Sequence, residues 1–337
     1  MLEAFYATER GSLEDVTING DFDLQQDLVW VDLIAPSAEE QQWVLDAYQQ
    51  NLPTLKSLED ISSSARFYRD DDGILHISTY FLTKNKNYQV DTETEESSSI
   101  LATVQTVAFI LHKDRLFTLR GEKLVAFRAF RARARRNDYE IDYKDPTWVL
   151  LGLLEAKLDE LADILEDVHK DLEMYSTEVL NNRHRETILD LDDMITRLAQ
   201  LEDMLGKAQL CLIDLRRVLT FLSRPRALGS HIYDADIREL SEDVRSLVEH
   251  DAFLFQKVRF LLDTTSGFIN TEQNDTIRRF SILPSMLAPP MLVASVYGMN
   301  TDVLPFAHGT TSFVIVSLIL VLFFIGPMIY FRWKKWI

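Results

Sequence analysis

Between Asp263 and Asn300 the sequence repeats oxygen-bearing and small side chains at helical spacing. At 100° per residue, Asp263, Asn270, Asn274, Ile277, Ser281, Ala288, Ser295 and Met299 fall within roughly 40° of one line. A carboxylate, amides and hydroxyls on one face of a helix that turns apolar halfway along have two uses. They let another helix approach closely, or they line a path for something polar. Covalent chemistry is not indicated. The sequence shows no nucleophile–base arrangement, no Gly-rich phosphate loop and no His-based metal motif, so it does not read as an enzyme.

The elements around this face point to a membrane. Ser312 to Phe331 carries no charged residue, and its length of about 20 residues crosses a hydrocarbon core of about 30 Å. Phe280 to Tyr297 is also uncharged, over about 18 residues. Two spans therefore lie near the C-terminal end, joined by a short loop, 300–311. Arg278 and Arg279 precede the first span, Arg332, Lys334 and Lys335 follow the second, and the loop has neither Lys nor Arg. The excess of basic residues puts both termini in the cytoplasm and the loop outside. Tyr297 at one interface, and Tyr330, Trp333 and Trp336 at the other, suit aromatic belts.

Composition narrows the rest. A formal net charge of −18 argues against a nucleic-acid partner. The single cysteine, Cys211, cannot form an intrachain disulfide and reads as a small core residue. No signal-peptide pattern opens the sequence.

Residues 1–144 read as a mixed α/β domain. Leu28–Leu33 is a strand, and Ser37 with Glu40 forms a capping box opening a helix to about Gln50. Asp70-Asp71-Asp72-Gly73 turns a hairpin between Ala65–Tyr68 and Leu75–Phe81. Strands are expected at Val104–Leu111 and Arg115–Leu119. Lys123–Arg136 reads as a basic amphipathic helix, a solvated face in preference to a lipid- or nucleic-acid-binding one. Residues 145–277 read as a helical bundle and stalk. Asp145 caps and Pro146 opens the first helix. A second runs from about Arg185 to Leu222. A third starts near Ala235 and has no strong break before Pro284; its apolar residues are Ile237, Leu240, Val244, Leu247, Phe253, Phe255, Val258 and Leu262. The dense acids at Asp159, Glu160, Asp163, Glu166, Asp167, Asp171 and Glu173 read as a solvated helix face. Residues 278–337 form the two-span membrane domain.

Tyr297-Gly298-Met299-Asn300 closes the first span and Lys334-Lys335-Trp336-Ile337 closes the sequence. With Leu58-Glu59-Asp60-Ile61, Ser64-Ala65-Arg66-Phe67, Arg115–Leu119, Phe255-Gln256-Lys257-Val258, Gly267-Phe268-Ile269-Asn270 and Glu272-Gln273-Asn274, the whole chain resembles the CorA-type magnesium transporters, in their proteobacterial branch. The resemblance implies an α+β cytoplasmic domain, long helices and two C-terminal transmembrane helices. These would form a CorA-like pentameric funnel in the bacterial inner membrane. Gly298, Met299 and Asn300 would be the selectivity filter. Asp263, Asn270, Asn274, Ile277, Phe280, Ser281, Ala288, Met291 and Ser295 would line the pore, with Asn274 as a polar ring and Ile277 and Phe280 as apolar constrictions.

The physics agrees with that picture. Mg²⁺ prefers oxygen ligands and sheds water reluctantly, so a ring of amide oxygens and carbonyls could hold the hydrated ion. Gly298 is expected to let the backbone turn toward the axis. With no hydrolysis motif, entry would run down the membrane potential, which supplies about 4.6 kcal/mol per 100 mV for two charges. The resemblance also implies closure by intracellular Mg²⁺ bridging acids between subunits. Counting back from Asn300 places Glu239 there, beside Glu242 and Asp243, with Asp91, Glu93, Glu95 and Glu96 as candidate partners. The implied ligands are Mg²⁺, with Co²⁺ and Ni²⁺ as further ions, membrane lipid, and no organic cofactor. The sequence departs from the family in three places. Phe306 follows Pro305 where an acid is usual, leaving Asp302 to carry the outer charge. Met291 replaces a usual Thr. Pro284 adds a third proline to Pro289 and Pro290 and is expected to kink the span. A zinc transporter of the same superfamily, and a membrane-anchored helical scaffold without transport, are the alternatives.

Overall fold

The computed structural model describes residues 1–16, 28–59, 66–84, 102–137, 141–181, 188–225, 227–299 and 310–334. By contacts the chain divides into one unit of residues 1–183 with 196–261, and a second of residues 184–195 with 262–337.

The first unit is built on a seven-stranded sheet in the order β2-β1-β3-β7-β6-β5-β4. The strands are β1 (Leu2–Ala7), β2 (Leu13–Val16), β3 (Leu28–Ile34), β4 (Phe67–Arg69), β5 (Leu75–Lys84), β6 (Ala102–Leu111) and β7 (Leu116–Arg120). Among the described residues only β3 and β7 pair in parallel, with Trp30 opposite Leu116 and Ile34 opposite Arg120. β3 is buried along its whole length, as a strand covered on both faces must be. The expected hairpin is present: Gly73 donates to the Asp70 carbonyl at 3.1 Å with φ of 81°, a left-handed conformation that glycine adopts freely. The β1–β2 hairpin, which extends the sheet beyond β3, was not anticipated; its strands are short and their apolar alternation is weak.

Val44 of α1 (Ala38–Tyr48) and Leu58 of α2 (Leu55–Glu59) pack with Val31, Leu33, Ile110 and Phe117. Ser37 and Glu40 make the capping box, and α1 stops at Tyr48, two residues before the expected end, with Gln49 left-handed. On the other side α3 (Val125–Arg136) sets Phe127 and Phe130 against Trp30. Its Arg131 pairs with Glu3, Arg133 with Glu155 and Arg135 with Asp15, so much of the basic face is neutralised within the chain. Under this layer, Arg120 grips Asp32 through two hydrogen bonds of 2.7 and 3.1 Å, and neither side chain has any exposure.

Helix α4 (Pro146–Asn181) starts where expected, with the Thr147 N–H donated to Asp145 Oδ1 at 2.8 Å. A Cβ at Gly152 would collide with the Phe130 ring, so glycine there permits the close approach of α3 to α4. Leu150, Leu154, Leu158, Leu161, Leu165, Val168, Leu172 and Val179 form a buried seam along α4. The acids Asp159, Asp163, Glu166, Asp167 and Glu173 are exposed, and Glu160 and Asp171 half-buried.

The remaining helices are α5 (Ile188–Leu222), α6 (Asp234–Tyr297) and α7 (Thr310–Trp333). α6 is a single helix of 64 residues that contains Pro284, Pro289 and Pro290. Each proline withholds the N–H that an α-helix would offer to the carbonyls of Phe280, Ser285 and Met286. No residue of α7 from Phe313 to Trp333 is buried, which sets it apart from the core helix of a soluble protein. Both α6 and α7 contain stretches long and apolar enough to span a membrane.

Candidate functional site

In the second unit, α6 from Asp263 onward packs along one narrow side and is exposed around the rest, Leu283, Leu287, Leu292 and Val296 included. Asp263, Asn270, Asn274, Ile277, Phe280, Ser281, Ala288, Met291, Ser295 and Met299 are all exposed. Ile277, Phe280 and Met291 expose 63%, 76% and 66% of their surface, whereas Ile282 and Met286 expose only 7% and 9%. Pro289, Pro290, Val293 and Tyr297 are half-buried and continue the Ile282–Met286 side. These packed positions centre about 130° around the helix from the polar line. The line is therefore not the face that α6 uses to pack within its own chain. The close-packing use of small residues is left only for contacts with another copy or with lipid.

Local hydrogen bonding shapes what the line can offer. The Ser281 hydroxyl donates to the Ile277 carbonyl at 2.8 Å, and the Ser285 hydroxyl to the Ser281 carbonyl at 2.7 Å. A serine donating back to its own helix keeps its oxygen lone pairs outward, as acceptors. The line thus presents amide and hydroxyl oxygens, together with the carboxylate of Asp263 at its start. Such a lining suits a cation still carrying its waters. Arg278 pairs with Asp275 one turn away, which tempers positive charge near the start of the span.

At the far end the chain leaves the helix at Gly298, whose N–H is donated to the Ala294 carbonyl at 2.9 Å. Gly298 is not among the residues with positive φ. The atoms that a Cβ there would meet, the Ala294 and Ser295 carbonyl oxygens, belong to the preceding turn of the same helix. Asn300 and Asp302 lie outside the described residues, as do Asp91, Glu93, Glu95 and Glu96.

The first unit holds the other candidate residues. Glu239 and Asp243 line a cavity of about 380 Å³ together with Glu155, Asp159, Asp236 and Arg133. Burial pushes the Glu155 carboxyl up; Arg133 pulls it down, while Asp159 and Glu239 push it further up. Burial likewise raises Asp159, with Asp163 and Asp243 adding repulsion against the pull of Arg133. Arg133 holds the group together by reaching Glu155 at 3.1 Å and Asp159 at 3.4 Å. Glu242 is exposed and does not line this cavity. Among the described residues, no three of His, Cys, Asp and Glu come close enough to hold a metal ion. Glu155 and Arg133 were missed as partners of Glu239. The signal was there in the i, i+4 repetition of acids on both helices, but their proximity depends on how α4 and α6 lie in the bundle.

Comparison with known proteins follows the same lines. The model of the family described as CorA-like Mg2+ transporter protein matches residues 25–335. The magnesium transport protein CorA of Escherichia coli strain K12 is 39% identical over 316 residues, covering 92% of each chain. That of Haemophilus influenzae strain ATCC 51907 is 36% identical over 315 residues, again covering 92% of each. Among solved structures, the complete CorA magnesium transporter from Methanocaldococcus jannaschii superposes with a TM-score of 0.75 at 19% identity, covering 100% of this chain and 99% of that one.

Proposed function

This chain belongs to the CorA-like Mg2+ transporter family, and from that premise we propose that it conducts Mg²⁺ through a path lined by the polar face of α6. The observation that carries the reading is the exposure of that face, from Asp263 to Met299, opposite the side on which α6 packs. Oxygen acceptors along it suit an ion that exchanges its water slowly. Gly298, Met299 and Asn300 form the outer filter, and Asp302 supplies the outer negative charge. Ile277 and Phe280, both strongly exposed, are the apolar constrictions. Co²⁺ and Ni²⁺ are further permeant ions.

A path along one face of one helix needs several copies to enclose it. Phe253, Phe260 and Phe268 stand exposed on α6 by 54%, 58% and 40%, and aromatic side chains so placed favour association. The proposed assembly is a homopentamer in a bacterial inner membrane, with both termini cytoplasmic, following the basic residues that flank the spans. The membrane potential drives entry, and Mg²⁺ itself closes the path by binding near Glu239, Glu242 and Asp243. Burial is the main reason that Glu155 and Asp159 are raised, but Glu239 also repels Glu155 and Asp243 also repels Asp159, and a divalent cation there would relieve that part. No part of this function requires an enzyme activity or an organic cofactor.

The test is Mg²⁺ uptake into liposomes by the wild type and by Asn300→Ala. Loss of flux in the variant is expected. Equal flux in both would refute the channel and favour a scaffold. Zn²⁺ transported in preference to Mg²⁺ in the same assay would reassign the ion.

A further inference from the structure

The buried seam of α6 in the first unit steps through Ile237, Leu240, Val244, Leu254, Val258 and Leu261 at helical spacing. Asp251 occupies the seam position seven residues after Val244, and its exposure is 0%. Neither of its carboxylate oxygens has a hydrogen-bond partner among the described residues. It is already buried within its own chain, so another copy cannot reach it while the bundle is closed. Charged and titratable groups lie nearby but look elsewhere. Glu249 pairs with Arg245 at 3.7 Å. The His250 ring meets His169 of α4, which hydrogen-bonds Glu173 at 3.2 Å. Among the described residues, burial is the only influence on the Asp251 carboxyl.

An ionised carboxylate with no partner is among the costliest things to bury. Something must answer it: a proton, or an opening of the seam that admits water. We propose that Asp251 is a proton-operated latch in the cytoplasmic bundle, closing the α6 seam when neutral and loosening it when ionised. Burial pushes its carboxyl up to about 6, within reach of cytoplasmic acidification. The sign follows from linkage. The closed bundle binds the proton more tightly than the open one, so closure is favoured at low pH and that advantage is lost as pH rises through about 6. Between about pH 7.5 and about pH 5 the opening equilibrium falls roughly tenfold. α6 continues unbroken to Tyr297, so the same helix carries the latch and the proposed pore lining. An effect on flux rests on the transport reading; the latch itself does not.

Hydrogen–deuterium exchange on the full chain, corrected for intrinsic rates, tests it at amides 244–258. Wild-type protection should rise about tenfold on acidification over that range. In Asp251→Asn and Asp251→Leu it should stay flat, with the leucine variant protected at both pH values. Infrared difference spectra should show one protonated carboxyl titrating near pH 6 in the wild type and missing from both variants. A pH response in either variant equal to that of the wild type overturns the latch, as does an infrared titration unchanged by the substitutions. Flux that ignores pH while exchange follows it would leave the latch standing and detach it from transport.

Discussion

The orientation of the polar line can be probed with single cysteines, because the one native thiol is silent. Cys211 is buried, and burial pushes its thiol up to about 11. At about pH 7.5 only about three in ten thousand such groups are thiolate, the reactive form. A thiol in water, with its ordinary value of about 8.5, is about one-tenth thiolate at that pH. The contrast in thiolate fraction is about 300-fold, before the steric shielding of Cys211 is added. Ser281→Cys, Ala288→Cys and Ser295→Cys lie on the exposed line; Ile282→Cys and Met286→Cys lie on the packed side. A membrane-impermeant cationic thiosulfonate reaches only water-lined positions. Modification of the first three, with block of Mg²⁺ flux, and no reaction at the last two, is the expected result. Reaction at Met286→Cys as fast as at Ser281→Cys would refute the packing of α6 along its Ile282–Met286 side. No reaction at Ser281→Cys, Ala288→Cys or Ser295→Cys would mean that the line faces lipid or a neighbouring helix.

Two further changes test other parts of the argument. Replacing Glu239, Glu242 and Asp243 together by Gln, Gln and Asn should weaken inhibition of flux by internal Mg²⁺, read as a shift of the inhibition curve to higher concentration; an unmoved curve removes these residues from the sensor. Asp32→Ala should cost about 3–5 kcal/mol of stability, because it leaves Arg120 charged and fully buried. Chemical denaturation of the variant against the wild type measures it, and a loss below about 1 kcal/mol would mean that water reaches the guanidinium.

Local chemistry made much of this chain legible. Asp145 before Pro146, the Asp70–Gly73 turn and the Ser37–Glu40 capping box each settle their own neighbourhood, since donor, acceptor and allowed φ lie within a few residues. The same holds for the period of the polar line and the length of the two spans, which are properties of a helix taken alone. Other features depend on partners far away in sequence. Phe253 is among the apolar residues of α6, yet it is exposed, and the buried seam runs through Asp251 and Leu254. Position in the helical register, set by what α6 packs against, overrode residue type. The approach of Glu155 and Asp159 to Glu239 and Asp243, and the parallel pairing of β3 with β7, likewise exist only once distant segments meet. The spacing of the polar line could be read from residues 263–299 alone. Its exposure could not, because burial belongs to a helix and its neighbours together.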